Sequence, residues 1–149
     1  MNARMCGLAL ALGLALAATA QAQQLHEMEP ETAQMYAKHL VDEFAKLKDA
    51  PLQVDVDASK AFGLVDGREG IIIVPVKGLK EGEVNKEVYL DRGAGLAYLF
   101  LSPRFNPVID GKAIPTKKLR TIKYNDEGVE KEATCLLLSV RNVDGDDWR

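Results

Sequence analysis

The sequence predicts an α+β fold: an N-terminal amphipathic helix packed on a mainly antiparallel sheet of about five strands. Three observations predict it. Ala33, Tyr36, Ala37, Leu40, Phe44 and Leu47 recur at three- and four-residue steps, giving one apolar stripe. The segments that follow are short β-type runs, several of them alternating. Turn signals, not long crossovers, join most of those runs, which is the pattern of hairpins.

Residues 1–22 come first in the chain but lie outside the predicted domain. One basic residue, Arg4, precedes an apolar run over 7–18, and small residues end in Ala20-Gln21-Ala22. This is the layout of a secretory signal peptide, with cleavage expected between Ala22 and Gln23. The run is shorter than the roughly 20 residues a membrane-spanning helix needs. Cys6 precedes the apolar region, whereas a lipidated cysteine follows it. Removal of 1–22 leaves a single exported domain, 23–149, with Cys135 as its one cysteine and no intramolecular disulfide. Cys135 lies in the apolar run Thr134–Val140 and reads as a buried thiol.

In the mature chain, residues 23–29 read as a flexible polar start. Glu29-Pro30-Glu31-Thr32 then opens the helix, because proline is tolerated in a first turn and acidic groups suit the positive end of the helix dipole. Lys38, Asp42, Glu43 and Lys46 fall off the stripe and face water. Asp49-Ala50-Pro51 ends the helix near Lys48, and Leu52–Val56 alternates as a strand. Asp57 is placed to cap a single turn through Phe62, with Gly63 closing it in the left-handed conformation. Gly70–Val76 is a strand whose Pro75 marks an edge or an end.

Lys77–Gly95 is polar and glycine-rich, a loop with a short strand at Val88–Leu90. Leu96–Leu101, apolar on both faces and stopped by Pro103, is a central strand. Asp110-Gly111 joins Val108-Ile109 to Lys112-Ala113 in a small hairpin. A longer hairpin pairs Leu119–Tyr124 with Val129–Val140 around the four-residue loop Asn125–Gly128. Pairing Tyr124 with Val129 sets Lys123 opposite Glu130 and Arg120 diagonal to Glu132. Residues 142–149 form an acidic, frayed tail. This order resembles cystatin-like arrangements, a helix early and a meander after it, in element order alone.

Composition limits the function. With 47% hydrophobic and 28% charged residues the chain is neither disordered nor fibrous. A net charge of −3 lacks the basic footprint of a nucleic-acid binder. Serine chemistry would have to use Ser59, Ser102 or Ser139 with His26 or His39, and no G-x-S-x-G is present. Gly67-Arg68-Glu69-Gly70 precedes a strand, not the helix that an RNA-binding loop of that form requires. Gly93-Ala94-Gly95 lacks the third glycine of a dinucleotide loop, Tyr98 standing in its place.

Two metal patterns stand beside structural readings of the same residues. His26, Met28, Met35 and His39, extended by Glu43, offer imidazole and thioether ligands suited to copper. The Met35–His39–Glu43 row lies beside the apolar stripe, and a methionine flanking a helix core more often packs than ligates. Asp55, Asp57, Ser59 and Asp66 occupy positions 1, 3, 5 and 12 of a calcium loop, but position 6 is Lys60 where a glycine is needed. A capped turn accounts for them without an ion, and Asp144-Gly145-Asp146-Asp147 reads as a solvated acidic end.

The main expectation is therefore an exported, non-catalytic binding or structural domain, periplasmic or secreted, not membrane-spanning, without a cofactor, and directed at a protein or envelope partner. Its surface is expected on the exposed sheet face or on the Lys77–Gly95 loop. The alternative is a metal-handling protein, using copper at His26–Glu43 or calcium at Asp55–Asp66. The oligomeric state is left open.

Overall fold

The computed structural model describes residues 25–48, 54–78, 94–140, 142–144 and 147–148. The predicted leader, the helix stop at Asp49–Pro51, the Leu52–Gln53 part of the expected strand at 52–56, and the expected strand at Val88–Leu90 lie outside these residues. The described chain is α+β, with one helix and a six-stranded, antiparallel main sheet.

The elements are β1 (His26–Glu27), α1 (Pro30–Ala45), β2 (Phe62–Asp66), β3 (Glu69–Pro75), β4 (Ala94–Leu101), β5 (Val108–Ile109), β6 (Lys112–Ala113), β7 (Arg120–Asp126), β8 (Val129–Val140), β9 (Asn142–Asp144) and β10 (Asp147–Trp148). In the main sheet the order is β1-β2-β3-β4-β8-β7. The pairs β5-β6 and β9-β10 form two small sheets of their own. No described helix is long and apolar enough to cross a membrane.

Helix α1 begins where proline allows it, with Pro30 in the first turn and Glu29 at the N-cap. Ala33, Ala37, Leu40 and Phe44 are buried, so the expected stripe is the face laid on the sheet. Against it stand Ile72 and Val74 of β3, Tyr98 and Phe100 of β4, Ile122 of β7, and Ala133 and Cys135 of β8. These residues alternate along their strands, and direct cross-strand pairing keeps them on one face. The C-terminal half of the helix is fixed by aromatic packing. Phe44 lies 5.4 Å from Tyr98 and 6.3 Å from Phe100, ring centre to ring centre, spacings at which tilted and edge-on rings attract.

Strand β4 is central, as its two-sided apolarity predicted, flanked by β3 and β8. Its other face contributes Leu99 to a row that runs Phe62, Ile73, Leu99, Leu136 across β2, β3, β4 and β8. At the ends of that row Phe62 is exposed and Leu136 is half-buried.

Several expectations need correction. The helix is not the first element, because β1 precedes it and pairs with β2 through His26–Val65 and Glu27–Leu64. This also orders part of the start expected to be flexible: the Met28 amide donates to the Gly63 carbonyl at 2.8 Å. The strand count is six, not five, since residues 62–66 form β2 where a turn end was expected. The capped turn itself is present at Ala58–Lys60, with the Asp57 carboxylate accepting from the Ser59 amide.

Gly63 then has a role other than left-handed closure. A Cβ there would lie 3.0 Å from Ile72 Cδ1 and 3.1 Å from the Met28 side chain, so the glycine is needed for close approach and not for its φ. Val56 makes one isolated bridge with Val76 and no longer strand among the described residues. The tail is partly paired, β9 with β10.

The large hairpin forms in a different register. Asp126 pairs with Val129, which shortens the loop to Glu127-Gly128 and sets Lys123 opposite Glu132 and Arg120 opposite Cys135. Lys123 still reaches Glu130, now on the diagonal, at 2.9 Å. The two loop residues have φ of +53° and +87°, as a tight two-residue hairpin turn requires. Glutamate tolerates that conformation poorly, whereas asparagine adopts it readily. Glu127→Asn is expected to raise stability by up to about 1 kcal/mol, read as a higher denaturant midpoint with an unchanged slope.

Candidate functional site

The helix has two dissimilar halves. In its C-terminal half Phe44 packs on Tyr98 and Phe100, while its N-terminal half borders a space that Gly70 and Ala133, with little or no side-chain volume, help to line. A helix held at one height by large rings leaves space above small residues. That space is a cleft of about 490 Å3, within the range of about 300–1,000 Å3 common for small-molecule sites.

Thr32, Tyr36 and Leu40 line the helix side at four-residue steps, the spacing that stacks side chains on one face. Ile72, Phe100 and Ala133 make an apolar floor, all buried. Met28 closes the end next to β1, packed over Gly63. At the mouth are Glu27, Glu29, Arg68 and Glu69, on β1, the helix start, the β2–β3 turn and the first residue of β3. Ser102 also borders the cleft, and its hydroxyl accepts from the Gly70 amide at 2.9 Å.

Two polar links tie the helix to the β7–β8 hairpin. The Tyr36 hydroxyl donates to both carboxylate oxygens of Asp126 at 3.2 Å, and Lys131 donates to the same carboxylate. His39 Nε2 meets the Asn125 carbonyl at 3.0 Å, and the His39 ring stands edge-on to Tyr124. The Lys131 hydrogen bond holds the Asp126 carboxyl below its usual range, and the reciprocal bond raises the Lys131 ammonium. Burial first, then the Asp126 charge, raises the Tyr36 phenol. Burial alone pushes the Cys135 thiol up to about 12.

The residues singled out in the sequence are dispersed. His26 is exposed on β1, Met28 is packed over Gly63, Met35 is 60% exposed, and His39 is bound to the hairpin. Glu43 pairs with Lys46 at 2.6 Å. Thus Met35 and His39, though one turn apart, are directed to different surroundings.

Of the calcium pattern, the structure brings together only Asp57 and Ser59, whose hydroxyl lies 2.5 Å from the carboxylate. Asp66 is at the far end of β2 and pairs with Arg104 at 2.6 Å, and Asp55 contributes its carbonyl to the Lys77 amide. Among the described residues no group of three or more His, Cys, Asp or Glu side chains is placed to hold a metal ion. The loop expected to carry recognition lies largely outside the described residues, at 79–93.

Sequence reasoning did not find the cleft. Its one sequence-level trace is the change in size along α1 and β8, from Phe44 and Leu137 toward Thr32 and Ala133. Compared with known proteins, the chain matches no family model, no curated sequence and no solved structure.

The pair Asp126–Lys131 sets a pH dependence. A carboxylate with a lowered folded pKa contributes stability above its unfolded value, about 3.9, and loses it as pH falls through the lowered value. Asp126→Asn is therefore expected to be less stable than the parent at pH 7, and the difference should close as the pH drops below about 4. Urea midpoints at a series of pH values measure this. Cys135, buried and with its thiol raised, should not react with an aromatic disulfide reagent at pH 8 until the chain unfolds.

Proposed function

We propose that this protein is an exported, non-catalytic binding domain whose ligand is a small molecule with an apolar body, held in the cleft between α1 and the sheet. The observation that carries this reading is the cleft itself. An apolar floor of Ile72, Phe100 and Ala133, with Leu40 on the helix side, lies below a polar mouth, the lining usual for a small-molecule site. Export is supported by the leader at Met1–Ala22, with its A-x-A ending.

The placement of the nucleophile candidates favours binding over hydrolysis. Ser59 is engaged by Asp57, Ser102 accepts from Gly70, and His39 is engaged by the Asn125 carbonyl. Among the described residues, Ser59, Ser102, Ser139, His26 and His39 form no serine–histidine hydrogen bond.

The test is a titration with N-phenylnaphthylamine, an uncharged dye that brightens in apolar surroundings. Saturable binding at one site per chain is expected, with a rise in the melting temperature at saturation. Thr32→Trp, which places an indole in the cleft from the half-buried helix side, should abolish the signal while leaving the circular dichroism spectrum unchanged. Full-strength binding to that variant would place the ligand elsewhere.

A further inference from the structure

The rim of the cleft defines the charge of its ligand. Glu27 and Glu29, on either side of Met28, and Glu69, at the start of β3, are carboxylates from two stretches of chain, and all three border the opening. The single cation there is Arg68, on the turn whose Gly67 has a φ of +63°. None of these four side chains forms an ion pair among the described residues. Three other carboxylates have local cationic partners: Asp126 with Lys131, Glu43 with Lys46, Asp66 with Arg104. The acidic excess at the mouth is thus left for a ligand to neutralise.

The cleft wall adds a second contribution. Tyr36 and Tyr124 both line it, and the phenol oxygen of Tyr36 is turned to Asp126. Aromatic faces attract cations and repel anions through the ring quadrupole. The Tyr36 phenol has also committed its proton to Asp126.

We propose that the cleft selects amphipathic cations, with an apolar body seated on Leu40, Ile72 and Phe100 and an ammonium or guanidinium head held at the rim by Glu27, Glu29 and Glu69. This rests on the cleft being the binding site. It adds the chemical class of the ligand. Arg68 disfavours the same head group, so removing its charge strengthens binding. The three carboxylates act through partly screened water, where each exposed pairing is modest and the sum decides.

The experiment uses the mature chain and three ligands of equal length: dodecylammonium, dodecanol and dodecanoate. Each is titrated by calorimetry below its aggregation concentration at low ionic strength. Dodecylammonium is expected to bind roughly tenfold tighter than dodecanol, with dodecanoate weakest. In the triple variant Glu27→Gln, Glu29→Gln, Glu69→Gln the preference for the ammonium over the alcohol should disappear while dodecanol binding persists. Arg68→Gln should tighten dodecylammonium by roughly two- to fivefold.

Equal or better binding of dodecanol or dodecanoate in the parent protein overturns the charge preference and leaves the cleft as a binding site. Failure of all three ligands overturns both readings. Thr32→Trp, which keeps every carboxylate, separates seating from surface attraction: dodecylammonium binding that survives it overturns the proposal. Loss of binding in that variant, together with loss of preference in the triple variant, supports it.

Discussion

The seat of Phe44 on Tyr98 and Phe100 fixes the height of the helix above the sheet. Bulky rings hold the C-terminal half of α1 away from the backbone of β3 and β4. The N-terminal half carries only the small, buried Ala33 and Ala37 on its inner face, beside a space lined by Ile72, Phe100 and Ala133. The middle of the helix is also tied from the side, by Tyr36 to Asp126 and His39 to the Asn125 carbonyl. Held from beneath at Phe44 and from the flank at Tyr36 and His39, the helix leaves that space open. The cleft is the geometric remainder of these two attachments, and the close packing of protein interiors makes such a remainder uncommon.

The elements legible in the sequence are those whose pattern is local. The helix shows because its stripe, Ala33 to Phe44, is the buried face. Strand β4 shows because Ala97, Tyr98, Phe100 and Leu101 are all buried, on both sides of one strand. Strand β2 is hidden by Gly63, which in isolation reads as a turn closure. Its meaning comes from Met28, more than thirty residues earlier, which needs the missing Cβ to pack. The register of β7 with β8 is hidden for a similar reason. A two-residue loop requires Glu127 to take a positive φ, which its own propensity disfavours and the seven-residue ladder enforces.

The metal patterns illustrate how spacing and direction separate. Four residues along a helix bring two side chains to one face, but their tertiary partners decide where they point. Met35 faces water while His39 turns to the hairpin carbonyl. In the Asp55–Asp66 stretch, convergence fails once Phe62 begins β2. An extended chain advances about 3.3 Å per residue, so Asp66 is carried away from Asp57 to meet Arg104. The cleft, by contrast, draws on β1, α1, the β2–β3 turn, β4 and β8, and no window of sequence contains it.

Stability and cleft volume oppose each other at the floor, and the two small floor residues are small for different reasons. At Gly70 an added Cβ would approach the Leu64 carbonyl to 3.1 Å, so the fold itself resists a larger side chain there. Ala133 is paired in register with Ile122, a fully buried residue of normal size. An isoleucine-sized group on the neighbouring strand shows that the face accommodates bulk. At Ala133 a longer aliphatic would fill part of the cleft and gain about 25 cal/mol for each Å2 removed from water. The alanine, itself buried, instead leaves the volume of the cleft open beside it. On this face the difference between Ile122 and Ala133, directly paired and unlike in volume, marks the boundary between the packed core and the binding cleft.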